Sequence, residues 1–171
     1  MESKKALFLD RDGVINVEKN YLYKKEDFEF IDGIFELCRY FIQKDYLIFV
    51  VTNQSGIARG YYTQEQFLEL TAFMQQEFLK NGITITKTYF CPHHPKITGE
   101  CSCRKPKPGM LLDAQKEFNV DLKNSLLVGD KERDIEAAHN AGVLKTYLFS
   151  NEITTSNATK IVKNLREIIG E

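Results

Sequence analysis

Three short apolar runs in this chain each stop abruptly at polar residues, and that pattern constrains the fold more than any other feature. Ala6-Leu7-Phe8-Leu9 runs into Asp10-Arg11-Asp12-Gly13. Tyr46 to Val51 runs into Thr52-Asn53-Gln54-Ser55-Gly56, and Leu126 to Val128 runs into Gly129-Asp130. Continuous runs of this length read as strands buried on both faces. Amphipathic stretches separate them. Gly33 to Lys44 has helical spacing at Ile34, Leu37, Cys38, Phe41 and Ile42. Thr63-Gln64-Glu65-Gln66 has the form of a capping box, and it opens a long helix ended by Asn81-Gly82. Ile83 to Phe90 alternates with period two and predicts a strand. Met110 to Phe118 and Glu132 to Asn140 predict helices, Lys145 to Phe149 a last short strand, and Ala158 to Ile169 a helical tail. The order βαβαβαβαβ predicts a doubly wound α/β fold, a parallel sheet with helices on both faces. Ligands of such sheets bind outside the carboxyl ends of the strands, where these polar residues stand.

Composition narrows the function classes. Of 171 residues, 43% are hydrophobic, enough for one core domain spanning 1–171. Formal net charge is −1, which excludes the basic excess of a nucleic-acid binder. The longest apolar run has six residues, against the ~20 of a membrane span, so no membrane association is expected. The N-terminal apolar stretch is also shorter than the ~7–15 residues of a secretory signal. These features predict a cytoplasmic protein. No exposed heptad pattern is present, and a monomer is expected.

Two carboxylates at a strand exit, Asp10 and Asp12, repel one another unless a cation joins them. A divalent ion with oxygen ligands answers that need. Asp-x-Asp alone is equally a solvated turn, and Asp134 alone is equally a helix cap. The three strand ends together carry the stronger signal. A second cluster lies in the proline-rich loop at about 91–108. Cys91-x-His93, His94 and Cys101-x-Cys103 bring three thiols and an imidazole within 13 residues. Four such donors suit tetrahedral Zn²⁺ in a closed structural site, and by residue type either histidine serves. A disulfide is the alternative, disfavoured in a reducing compartment. Cys38 lies on an apolar helical face and reads as core.

Asp10-x-Asp12-Gly13, Thr52, Lys105 and Gly129-Asp130-x-x-x-Asp134 resemble, in order and spacing, the four motifs of the haloacid-dehalogenase (HAD) superfamily. The resemblance implies a Rossmann-like phosphatase. Asp10 is then the nucleophile that forms an aspartyl-phosphate, and Asp12 the general acid and base. Thr52 and Lys105 stabilise the phosphoryl group. Mg²⁺ is held by Asp10, the Asp12 carbonyl and Asp130, with Lys131 supporting phosphate or orienting Asp130. General acid–base help of this kind contributes ~10²–10⁴-fold.

Cys-Pro-His-His-Pro, Cys-x-Cys-Arg-Lys-Pro-x-Pro-Gly-Met and Thr-Asn-Gln-Ser-Gly-Ile-Ala-Arg-Gly narrow the resemblance to the heptose-bisphosphate 7-phosphatases, zinc-bearing members without a large cap domain. About twenty residues separate Asp12 from the first helix, too few for a cap. The resemblance implies a small-molecule sugar bisphosphate as substrate, in the supply of nucleotide-activated heptose for lipopolysaccharide. It assigns His93 as the zinc ligand beside Cys91, Cys101 and Cys103. It assigns substrate contacts to Arg104, Asn53, Gln54 and Ser55, and to the loop Glu18-Lys19-Asn20-Tyr21, which keeps the family's Tyr while its middle residues differ. Arg59 is a second candidate for the remote phosphate. The alternatives are a histidinol-phosphate phosphatase, which shares the motifs and the cysteine loop, and a receiver-like phospho-Asp signalling domain. The latter needs an acid at the end of strand three, where this chain has cysteine.

Overall fold

The computed structural model describes residues 2–171. Six parallel strands form one sheet: β1 (Ala6–Leu9), β2 (Leu47–Asn53), β3 (Lys87–Cys91), β4 (Leu126–Gly129), β5 (Lys145–Phe149) and β6 (Lys160–Val162). Their order across the sheet is β3-β2-β1-β4-β5-β6. The helices are α1 (Ile34–Gln43), α2 (Gln64–Lys80), α3 (Gly109–Phe118) and α4 (Glu132–Ala141).

Side chains alternate across a strand, so an all-apolar run feeds two cores at once. Leu7 and Leu9 of β1 join Ile48, Val50 and Val128 under α1 and α2, where Phe41, Met74 and Phe78 are buried. Ala6 and Phe8 face the other way, with Phe49, Val51 and Leu127, and meet Leu111, Ala114, Ile135 and Ala138 of α3 and α4. The expected capping box opens α2: Thr63 Oγ1 accepts from Gln66 N at 3.1 Å, and Gln66 Oε1 accepts from Thr63 N at 2.8 Å. Among the described residues no helix is long and apolar enough to cross a membrane.

Two expected elements differ. The strand predicted from Ile83 begins at Lys87. Ile83 and Ile85 do turn inward, which explains their alternation, but ladder pairing with β2 starts only at Lys87. The tail is not an α-helix. Lys160–Val162 is an edge strand paired with β5, and Leu165–Ile168 is a 3₁₀ turn. Pairing with an open sheet edge outweighs the weak local helix preference of β-branched Ile161 and Val162.

The sheet order reverses at β1. The chain moves outward through β2 and β3, then returns so that β4 lies on the other side of β1. This topological switch point opens a crevice at the carboxyl ends of β1 and β4, and Asp10 and Asp130 follow those two ends.

Candidate active site

Asp10 leaves β1 almost buried, at 8% exposure. Its Oδ1 accepts from Arg11 N at 2.9 Å and from Lys105 Nζ at 3.0 Å. Lys105 comes from the loop after β3 and is 2% exposed. Its ammonium also reaches Val51 O at 2.8 Å and Asp134 Oδ1 at 2.7 Å. Asn53, at the end of β2, holds the backbone of that lysine on both sides. Its Oδ1 accepts from Lys105 N at 3.0 Å, and its Nδ2 donates to Lys105 O at 3.2 Å.

Carboxylate oxygens of Asp10, Asp130 and Asp134 lie within 4.8 Å of one another. Burial and the charge of Asp134 push the Asp10 carboxyl well above the usual carboxylate range, against the attraction of Lys105, with Asp130 and Asp12 adding to the rise. Burial and Asp134 also raise Asp130. Burial alone would lower Lys105, but Asp10 and Asp134 outweigh it and raise its pKa. One lysine thus faces more negative charge than it neutralises, and a divalent cation with oxygen ligands fits this donor set. Gly13 is part of the same fit. It has φ +91°, and a Cβ there would stand 2.1 Å from Asp130 Oδ2. Only glycine both adopts that backbone and leaves the carboxylate its place. Asp134 caps α4 by accepting from the amides of Asp130 and Lys131, at 3.1 Å each.

Asp12 is held from three sides. Arg11 Nη2 lies 3.0 Å from both its oxygens, Asn16 Nδ2 3.0 Å from Oδ1, and Gln54 Nε2 3.1 Å from Oδ2. Thr52 Oγ1 accepts from the same Gln54 nitrogen at 2.9 Å. Asp10, Asp12, Thr52, Asn53, Lys105, Asp130 and Lys131 line a small recess of about 60 Å³. Beside it opens a cleft of about 300 Å³, whose lining shares Asp12, Glu18, Asn53 and Arg133 with the recess. Arg59, Arg104, Ser55, Asn20 and Tyr21 also line the cleft, and the Arg59 guanidinium sits 5.8 Å from the Tyr21 ring centroid. A larger groove of about 730 Å³ runs along α2, lined by Tyr23, Gln66 and Phe73, and shares no residue with the recess.

Not every expected contact gathers here. Lys19 lies outside both linings and pairs instead with Glu29 at 3.4 Å. In the cysteine loop, Cys103 Sγ is 2.8 Å and Cys101 Sγ 3.6 Å from Cys91 Sγ. These three thiols converge within 4.8 Å, and His93 does not join that set. The His93 carbonyl instead accepts from Arg104 Nη1 at 3.3 Å.

Sequence reasoning missed Arg11, Asn16, Tyr62 and Arg133. Arg133 carried a signal: a cation in the first turn of a helix opposes the helix dipole and asks for an anionic partner. Arg11 carried none, since a charged residue beside two aspartates reads as solvated, yet it is 1% exposed.

Comparison with known proteins agrees with this geometry. A family model described as HAD-hydrolase-like matches residues 102–168. A Campylobacter jejuni protein named D-glycero-alpha-D-manno-heptose-1,7-bisphosphate 7-phosphatase is 54% identical over 165 residues, covering 96% of this chain and 94% of its own. A Vibrio cholerae protein, named as the 7-phosphatase of the beta bisphosphate, is 43% identical over 176 residues, covering 97% and 95%. The solved structure of D,D-heptose 1,7-bisphosphate phosphatase from B. bronchiseptica, complexed with magnesium and phosphate, matches with a TM-score of 0.83 at 29% identity. It covers 94% of this chain and 93% of that one. The strand-end acids, the buried lysine and these relatives agree, and the chain belongs to the heptose-1,7-bisphosphate 7-phosphatase family of HAD-like phosphatases.

Proposed function

We propose that this chain is a Mg²⁺-dependent phosphatase, one domain over 1–171, that removes the 7-phosphate of D-glycero-D-manno-heptose 1,7-bisphosphate. The observation that carries the reading is Asp10, buried against Lys105 at the floor of a recess that opens into an arginine-lined cleft.

Asp10 attacks phosphorus as the bond to the sugar oxygen breaks, and Asp12 gives that oxygen its proton. Asp12 then takes a proton from water, which attacks the aspartyl-phosphate and frees Asp10 and inorganic phosphate. Covalent catalysis divides one difficult displacement into two easier ones. Lys105 and Thr52 hold phosphoryl oxygens while charge redistributes. Asp10, Asp130 and the Asp12 carbonyl would hold Mg²⁺, with Lys131 beside it. Bound there, the ion neutralises the repulsion between an anionic nucleophile and an anionic ester. Arg104, Arg59, Arg133, Ser55, Glu18, Asn20 and Tyr21 line the cleft; the arginines would meet the second phosphate, and the other four the sugar. Cys91, Cys101 and Cys103 would hold structural Zn²⁺, with His93 offered as the fourth ligand. A reducing, cytoplasmic setting suits those thiols.

The test compares kcat/KM on both anomers of the heptose bisphosphate and on histidinol phosphate. A preference of roughly 100-fold or more for a heptose bisphosphate is expected, because cationic side chains built for a second phosphate are left unpaired by a monophosphate. Preference for histidinol phosphate would overturn the substrate. Steady phosphate release by Asp10→Asn would overturn the mechanism.

A further inference from the structure

Gln54 belongs to the polar run at the end of β2 that resemblance assigns to substrate, yet it is 2% exposed. Its amide is spent inside the protein. Nε2 donates to Asp12 Oδ2 at 3.1 Å and to Thr52 Oγ1 at 2.9 Å, and Oε1 accepts from the Tyr62 hydroxyl. Tyr62, 5% exposed, is fixed in turn. Its ring stacks on Tyr23 with centroids 5.7 Å apart, and it lies so close to Gly56 that a Cβ there would come within 2.3 Å of the ring.

A carboxamide can bind in two senses, and its partners decide between them. The Asp12 carboxylate, when ionised, only accepts, so it needs Nε2. The Tyr62 hydroxyl donates to the other end and fixes the same sense. Donation from Gln54 occupies a lone pair of Thr52 Oγ1, so the threonine proton is directed away from Gln54. The reverse sense would set Oε1 against Asp12 and turn the threonine proton toward Gln54.

We infer that Tyr62 and Gln54 are a positioning pair. Through one oriented amide, they align the proton-transfer group Asp12 and the phosphoryl-binding group Thr52 together. Neither needs to touch the reacting atoms. The inference rests on the roles proposed above for Asp12 and Thr52.

The experiment is a double-mutant cycle in kcat, with heptose bisphosphate as substrate and intact protein throughout. Tyr62→Phe keeps the ring stack and deletes only the donor. It should lower kcat about 10-fold while KM stays within about twofold, the mark of a group acting through transition-state alignment. Gln54→Leu should lower kcat about 100-fold, and adding Tyr62→Phe to it should change nothing more, because the hydroxyl acts through the amide. Gln54→Glu is isosteric, keeps the acceptor for Tyr62 and loses both donations, so it should fall as far as Gln54→Leu. Multiplicative losses in the double variant would overturn the pair. So would a wild-type rate in Gln54→Glu, or a raised KM with unchanged kcat in Tyr62→Phe, which would make the hydroxyl a substrate contact. Absence of phosphate release by the unsubstituted protein would instead overturn the phosphatase reading, and the pair with it.

Discussion

Lys105 Nζ stands 3.0 Å from Asp10 Oδ1, and both groups are nearly closed off from water. The lysine is the internal counter-ion of Asp10. Lys105→Met would leave buried acids unpaired, which costs about 3–5 kcal/mol. Urea denaturation at neutral pH should show that loss, and kcat should fall by about 10²–10³-fold as one electrostatic stabiliser disappears.

Mg²⁺ should compete with protons here. Asp10 and Asp130 both have folded-state pKa values above the ordinary carboxylate value of 3.8. The folded chain therefore binds protons more tightly than the unfolded chain does, and without metal it loses stability as pH rises from 3.8 through those raised values. Bound cation takes the place of the protons. The increase in Tm on adding MgCl₂ should be small near about pH 5 and larger near about pH 8, as thermal unfolding will report.

Gly13→Ala is expected to damage the proposed Mg²⁺ site from a distance in sequence. The left-handed backbone strains any other residue by about 1–3 kcal/mol. The new methyl also collides with Asp130 Oδ2. The Mg²⁺ concentration for half-maximal activity should rise by at least about 10-fold, read by metal titration of the initial rate.

Asn53→Ala tests whether the lysine's backbone clamp matters. It removes both bonds to Lys105, at 3.0 and 3.2 Å, and neither bond involves a thiol. The expected result is a fall of about 10–100-fold in kcat/KM, since small displacements of a charge-stabilising group are costly. Metal content by elemental analysis should be unchanged.

The sequence made the acids at the strand ends legible because burial on both faces ends where the polar residues begin. Asp10, Thr52 and Asp130 could therefore be placed without coordinates. Lys105 was legible only by resemblance, because no periodicity marks a lysine in an irregular loop. What stayed hidden depends on long-range packing. Nothing local says that Arg11 turns inward to Asp12 and Leu22 O, or that the Gln54 amide bonds Asp12, Thr52 and Tyr62 at once. The loop of Lys19 reaches the cleft through Glu18, Asn20 and Tyr21, while the Lys19 side chain pairs with Glu29, a direction that no local pattern marks. His93 is set apart from His94 only by resemblance, because residue type leaves the two level, and its carbonyl accepts from Arg104 Nη1.

The pairing of β1 with β4 has a consequence in time as well as space. Leu9 registers with Val128, and Asp10 N donates to Val128 O at 3.1 Å, so Asp10 and Asp130 are joined across most of the chain's length. Contacts this distant in sequence form only after a large loop has closed. A chain emerging from its N-terminus would carry Asp10 from the first strand onward, but would bring it to Asp130 only once the fourth strand had docked. Chemical competence is therefore a property of the finished topology, withheld until nearly everything that shields it is already in position.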